Sequence, residues 1–403
     1  MTRLFNQRQQ AALMARRAQG LYRQHAVFAG GMLNFASNDY LGLSQHKAVI
    51  AAWQQAAKAG VGATASPAVV GFHATHQALV ASLCDWLGFE DALLFNSGFS
   101  ANQTLLHTVV EPQDRLFQDK LNHASLIDAG LHTKAHHRRF AHNDSQALAR
   151  LIKKHNAQAG QDWVVTEGIF SMDGDSAPLT ELSALCQQQG AALILDDAHG
   201  IGVTGEQGRG SCDVAKIKPD YLMVTFGKAL GIGGAAILST QQNIDYLRQF
   251  SRHYVYSTAM PIAQAAAIQC AIEIVRWQPE LREKLQNNSA YFDQGLRQLA
   301  TEFGELGTAS MPALMSARMP TLAIKPVILK SSVRTMHIAR HLAAQGIQVG
   351  AIRPPTVAPN SARLRICLSA AHTEAHIDKL LNELRHALAQ PQPIENLSQE
   401  LAC

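Results

Sequence analysis

The chain has 403 residues, 47% hydrophobic and 16% charged. That balance excludes a disordered chain, which carries too little apolar surface, and a membrane-embedded one, which carries far more. Lys and Arg number 35 against 31 Asp and Glu, and the resulting +4 is spread along the sequence, so no nucleic-acid footprint is indicated.

Cysteine usage and the N-terminus bear on compartment. Cys84, Cys186, Cys212, Cys270, Cys367 and Cys403 are scattered, with no CxxC pair, which fits reduced thiols rather than a disulfide scaffold. The N-terminal Met-Thr-Arg-Leu-Phe-Asn-Gln lacks the apolar core of a signal peptide, and no window reaches the length of a membrane span. A cytoplasmic protein is expected.

In chain order, residues 6–24 have helical spacing (Ala12, Leu13, Arg16, Arg17, Leu21), and Met32–Leu43 reads as strand and loop. Residues 1–45 are therefore expected to form an N-terminal arm. Over residues 46–285 short apolar runs alternate with helical stretches: Ala92–Phe95, Arg115–Phe117, Trp163–Val165, Ala192–Leu195, Tyr221–Phe226 and Gly234–Ile237. Such runs are the pattern of buried parallel strands, so the expected fold class is α/β with a doubly wound, mostly parallel central sheet. A long helical stretch over Ile262–Leu299 follows.

Residues 286–390 then change to a smaller α+β pattern. It comprises strand Thr321–Pro326, helix Ser332–Gln345, strand Ile347–Ala351, strand Leu364–Leu368 and helix Thr373–Leu388. The tail from residue 391, with Pro391 and Pro393, is expected to be loose.

Four strand ends carry chemistry. Leu193-Ile-Leu195 runs into Asp196-Asp-Ala-His199, placing a carboxylate and an imidazole where α/β sheets bind ligands. Gly200-Ile-Gly202-Val-Thr-Gly205 matches GxGxxG, but four polar or small residues separate it from the strand and no helix can open in the glycine-rich stretch behind it. Nicotinamide binding is therefore not expected. A further strand ends in Thr225-Phe-Gly-Lys228, where a desolvated lysine becomes a nucleophile or base. In Asn96-Ser97-Gly98-Phe99-Ser100 small residues open a helix whose free N–H groups suit a phosphate, and His123 could lie flat on an aromatic ring.

Each signal has a plain structural reading: a turn cap, a loop histidine, a surface lysine. Together they supply an amine, a carboxylate, an anion hole and a stacking group, the set that pyridoxal phosphate requires. His132, His136 and His137 include an i, i+4 pair, yet no Cys or acidic ligand lies nearby. They are expected to form a solvated face, with no metal.

From about residue 10 to residue 385 the chain resembles the α-oxoamine synthases, fold-type I pyridoxal-phosphate transferases. The matching stretches are Asn34–Leu43, His123–Ile127, Thr166–Asp175, Asp196–Gly200, Thr225–Lys228, Ala351–Val357 and Ala362–Arg365. The resemblance implies that Lys228 carries the cofactor covalently, Asp196 pairs with the ring nitrogen, His199 bonds the ring hydroxyl and His123 stacks on the ring. It implies Gly98, Phe99 and Thr225 on the phosphate, Ser171 and Glu167 beside the ring, and Arg365 on the amino-acid carboxylate. Arg23, Asn38 and Thr258 match positions near the substrates, Thr258 reaching across to a neighbouring subunit.

Ala351-Ile-Arg-Pro-Pro-Thr-Val357 favours the branch that joins L-alanine to a pimeloyl thioester, carried by coenzyme A or an acyl carrier protein, in biotin biosynthesis. A glycine or serine acyltransferase, such as glycine C-acetyltransferase, is the alternative. A homodimer is implied by the same resemblance. In Ala63-Thr-Ala-Ser66-Pro67 the chain departs from the family, carrying Pro67 where an Arg is common and Ala65 where a Gly is. That departure bears on acyl-donor contacts or on the local backbone.

Overall fold

A computed structural model describes residues 3–19, 21–23, 25, 27–28, 30–154, 160–304 and 322–391. In chain order its strands are β1 (Leu33–Asn34), β2 (Asp91–Phe95), β3 (Arg115–Asp119), β4 (His136–Phe140), β5 (Asp162–Glu167), β6 (Ala192–Asp196), β7 (Tyr221–Thr225), β8 (Ala235–Ser239), β9 (Ile324–Lys330), β10 (Ile347–Gln348), β11 (Gly350–Ile352) and β12 (Ala362–Cys367). Among the described residues, seven of them form one sheet in the order β2-β8-β7-β6-β5-β3-β4. The neighbours from β4 to β7 are parallel, and β8 runs antiparallel to both β7 and β2. The sheet is thus mixed and mostly parallel, as the alternation of apolar runs and helices predicts.

Every residue of β7 and β8 is buried. Strands covered on both faces read as unbroken apolar runs, and this is why they stand out in the sequence. β4 does not: His136-His-Arg-Arg-Phe140 is an edge strand buried only at Phe140, where cationic side chains guard an open edge against pairing. His136 lies on this strand, while His132 ends helix Ala124–His132 with Nδ1 2.7 Å from the Asp128 carbonyl. The histidines do not converge, and among the described residues no His/Cys/Asp/Glu group suits a metal.

Other elements differ from expectation in extent. The first helix runs Leu4–Ala18 and buries none of its residues; Gln24, its expected end, lies outside the described residues. The long helical stretch is two helices, Ile262–Trp277 and Glu280–Phe303, parted at Pro279, which has no N–H for a continuing helix. The expected strand Ile347–Ala351 splits at Val349: β10 pairs in parallel with β1, while β11 joins the antiparallel sheet β11-β12-β9. Thr321, Cys403 and the tail beyond residue 391 lie outside the described residues. Helices Ser332–Ala344 and Glu374–Ala389 form as the spacing predicts, and Thr373 caps the second by accepting from the His376 N–H.

The topology brings the chemistry-bearing strand ends to one edge. Asp119, Glu167, Asp196 and Thr225 close β3, β5, β6 and β7. Phe95 and Thr225 are both in register with Ala235 of β8, so the turn after β2 opens at this same edge, one strand away from Thr225. No helix among the described residues is long and apolar enough to cross a membrane.

Two ionic clasps hold the sheet, one at each end. Arg115 and Asp162, register partners at the start of β3 and β5, form a buried bidentate pair. At the site end, His142 places Nδ1 2.9 Å from Asp119 and Nε2 2.8 Å from Asp175. Burial alone would lower its pKa; the two carboxylates outweigh burial and raise it to about 10. Replacing Arg115 by Met leaves Asp162 buried and unpaired, and should cost about 3–5 kcal/mol in urea denaturation. Arg115→Met with Asp162→Leu together should cost less. The His142 clasp is fully present below its unfolded pKa of about 6.5 and is lost as pH rises through about 10. Over that interval wild-type unfolding free energy should fall more steeply than that of His142→Gln.

Candidate active site

The anion end is built first. Helix Gly98–Val109 starts right after β2, with Ser97 as its cap accepting from Ser100 N at 3.2 Å. The N–H groups of Gly98 and Phe99 have no intrahelical acceptor, and the helix end is electropositive. Across from them Thr225 Oγ1 is buried with no partner among the described residues. A Cβ on Gly98 would stand 2.5 Å from Thr225 Cγ2, so glycine is what lets hydroxyl and helix end approach. A buried hydroxyl without a partner beside two free N–H groups fits a phosphate.

The ring end lies at β5 and β6. Asp196 accepts from Ala198 N at 2.9 Å through Oδ1 and from Asn102 Nδ2 at 2.8 Å through Oδ2, leaving the carboxylate fixed as an acceptor. His123 caps helix Ala124–His132, its Nδ1 accepting from Ser125 N at 3.2 Å, while its own backbone N–H donates to Glu167 Oε1. Burial lowers the His123 pKa against the pull of Asp196. Burial raises that of Glu167, and Asp196 adds to the rise. His199 is buried, with Nδ1 2.7 Å from the Tyr40 hydroxyl. Burial, then the positive charges of Lys228 and Arg365, hold it well below the ordinary histidine range, so the imidazole is neutral.

Lys228 sits in the turn after β7, which closes on itself when Gly231 N donates to the Lys228 carbonyl at 2.8 Å. Its side chain has no hydrogen bond or ion pair among the described residues. Burial pulls the amine down from the usual lysine range, opposed by Asp196 and Glu167. Such an amine can serve as nucleophile or base. Opposite, Arg365 on β12 donates from Nε to the Ser171 carbonyl at 2.6 Å and from Nη1 to Asn38 Oδ1 at 3.0 Å. A side-chain hydrogen bond also ties Arg365 to Tyr40. The guanidinium is thus held in place by several fixed partners, and a planar cation so oriented suits a carboxylate.

The expected residues thus fall into three groups. Lys228, Asp196, His199, His123, Gly98, Phe99 and Thr225 line the strand-end edge, and Arg365 and Asn38 meet in one hydrogen bond. Ser171 enters through its carbonyl on Arg365, not through its hydroxyl. Arg23 and Thr258 are exposed, with the Thr258 carbonyl accepting from Asn96 Nδ2 at 2.9 Å; neither reaches the cluster within this chain.

The glycine motif after Asp196 has its own explanation. Asp197 is buried and accepts from Ser211 Oγ at 2.6 Å and Ser211 N at 2.7 Å. A Cβ on Gly168, Gly200 or Gly210 would come within 2.2 Å of its oxygens. Burial raises Asp197 to about 7 against those hydrogen bonds. Gly200 of the motif, with Gly168 and Gly210 outside it, makes room for a packed carboxylate, while Gly202 packs on Ala229 and Gly205 on the Gly210 carbonyl. The Pro67 turn is likewise held by backbone: Ser66 O accepts from Val69 N at 3.1 Å and Gly71 N at 2.9 Å, and Ala65 O from Ala259 N at 2.9 Å.

Sequence reasoning misses Tyr40, Asn102 and Ser125. Tyr40 lies within a stretch that carries the family resemblance, and Asn102 is one turn along the helix from the anion cradle. A polar residue on the sheet-facing side of a helix is the signal that was available.

Residues 30–384 match the family described as aminotransferase class I and II. The 8-amino-7-oxononanoate synthase of Photobacterium profundum is 48% identical over 96% of this chain and 98% of its own length. Among solved structures, Sphingomonas wittichii serine palmitoyltransferase superposes with a TM-score of 0.85 at 28% identity, covering 94% of this chain and 96% of that one. An 8-amino-7-oxononanoate synthase from Francisella tularensis does so with a TM-score of 0.72 at 26% identity, covering 89% and 98%. A further structure on this fold, 25% identical with a TM-score of 0.84, is described as holding PLP. With the strand-end amine, the carboxylate and the anion cradle in place, the chain belongs to the aminotransferase class I and II family, among its fold-type I enzymes that depend on pyridoxal phosphate.

Proposed function

We propose that this chain condenses L-alanine with a pimeloyl thioester, releasing carbon dioxide and the carrier thiol, to give 8-amino-7-oxononanoate for biotin biosynthesis in the cytoplasm. The reading is carried by the amine of Lys228, the carboxylate of Asp196 and the Gly98–Thr225 cradle meeting at one sheet edge, in a chain 48% identical to synthases of that name along nearly its whole length. Pyridoxal phosphate, when bound, supplies an aldehyde for the substrate amine and a protonated ring that accepts the electron pair left at Cα.

The chain's own residues do the rest. The N–H groups of Gly98 and Phe99 and the Thr225 hydroxyl bind the phosphate. Asp196 holds the proton on the ring nitrogen, because a buried carboxylate with two donors already on it has a strong acceptor direction left for a third. His199, its Nδ1 engaged by Tyr40, presents Nε2 to the ring hydroxyl, and His123 covers the ring face. Arg365, steadied by Ser171 and Asn38, would take the alanine carboxylate. Lys228, its pKa lowered by burial, would take the Cα proton. The new carbon–carbon bond would form at the pimeloyl carbonyl as the thiolate leaves, the carboxylate that Arg365 held would depart as carbon dioxide, and the proton held by Lys228 would return to the carbon it left.

The unit is a homodimer. Thr258 is exposed, and Val69, Val70, Phe72 and Tyr256 around the Pro67 turn are exposed as well. Such a group of large apolar side chains marks a surface that another chain covers. Sedimentation should give twice the chain mass; a monomer at micromolar concentration would refute the assembly.

Purified holoenzyme given pimeloyl-coenzyme A should release thiol with L-alanine, and far less with glycine or serine. Lys228→Ala should lose this activity by roughly 10²–10⁴-fold. Equal turnover with glycine would point instead to a glycine acyltransferase, and a colourless protein that retains no pyridoxal phosphate would overturn the reading altogether.

A further inference from the structure

We propose that Asn102 and Ser125 are positioning residues that join Asp196 and His123 into one hydrogen-bonded chain, so that the group at the ring nitrogen and the group on the ring face are set together. This deepens the function proposed above and rests on it. Neither residue would touch the cofactor.

Asn102 and Ser125 are each 1% exposed. The Asn102 amide has two protons: one goes to Asp196 Oδ2 at 2.8 Å, the other to Ser125 Oγ at 2.9 Å. Turning the amide over would set its oxygen against the Asp196 carboxylate, so its orientation is dictated. Ser125 Oγ, already accepting from Asn102, has its own proton left, and His123 Nδ1 lies 2.9 Å away. Nδ1 also accepts from Ser125 N at 3.2 Å. Two donors on Nδ1 require an unprotonated nitrogen there, which puts the imidazole proton on Nε2. The direction of every bond is therefore set from the Asn102 amide outward: its N–H groups to the carboxylate on one side, and through the serine hydroxyl to the imidazole on the other.

The charged groups acting on His123 are Asp196 and Lys228, with Glu167 on its backbone N–H; Lys228 in turn faces Asp196, Glu167, Arg365 and Asp197. Burial pushes His123 toward the neutral form in the same sense as the serine donor. No other side chain is hydrogen-bonded to the His123 ring among the described residues.

The test is an NMR titration of the His123 ring in the full chain with cofactor removed, its signal identified by loss in His123→Gln. Ser125→Ala removes the hydroxyl that donates to the neutral imidazole and should raise the His123 pKa by about one unit, and Ser125→Thr should restore it. Asn102→Ala, though it does not touch His123, should shift the same pKa upward by less. It should also weaken pyridoxal-phosphate binding roughly tenfold by removing a donor to the Asp196 carboxylate. If Asn102→Ala does not fold, Asn102→Ser, too short to bridge both partners, carries the same test. A His123 pKa unmoved by either substitution in folded protein, or moved by Ser125→Ala but not from Asn102, would overturn the chain. Wild-type protein that takes up no pyridoxal phosphate would instead sink the functional reading, while the titrations would still decide this one.

Discussion

At the site, burial has to act on an amine without undoing a carboxylate a short way across the same pocket. Desolvation disfavours charge of either sign, so it pulls Lys228 toward the neutral amine that chemistry needs. The two differ in hydrogen bonding: Lys228 has no acceptor among the described residues, whereas Asp196 has a donor on each oxygen. Those donors fix where the Asp196 oxygens point. The strand-end edge supplies both donors, one from the turn after β6 and one from the helix after β2. The site therefore depends on β2 and β6 opening at the same edge, which the antiparallel placement of β8 brings about.

Neighbouring acids show what the arrangement avoids. Glu167 stands beside Asp196 in register, and burial together with that like charge raises it well above the ordinary range. Asp197, one residue on, is raised to about 7 even with two bonds from Ser211. Three acids in one small volume cannot all be charged without cost. A strained proton balance of this kind is a feature of functional sites.

Much of this was legible in the sequence because strand ends in an α/β sheet sit where chemistry can be done, and apolar runs announce where strands end. Asp196, Lys228, Thr225 and the Gly98 turn could each be placed that way. β4 could not, since an edge strand of histidines and arginines has no apolar run to announce it. The division of Ile347–Ala351 between two sheets was hidden too, because it depends on a pairing with β1 near the other end of the chain. Tyr40 reaches His199 across 159 residues, and Asn102 reaches Asp196 across 94. Contacts of that span follow from the folded arrangement, and periodicity carries no trace of them.

The carboxylate clamp proposed for Arg365 shows how a two-residue period can become function. In β12 alternate side chains face opposite ways, so Arg363, Arg365 and Cys367 share one face while Leu364 and Ile366 enter the core. On that face Arg363 pairs with Asp173, Arg365 donates to the Ser171 carbonyl, and Cys367 Sγ lies 3.0 Å from Arg365 Nη1. The loop after β5 is thereby bound to β12 at two points, and Asp175, at its far end, is gripped by His142. A rigid loop matters because Arg365 is a long side chain with several rotatable bonds, and a clamp that must find its substrate by rotamer search loses binding energy to entropy. Fixing Nε and Nη1 in advance holds the guanidinium in one orientation, set by the same alternation that gives β12 its place in the core.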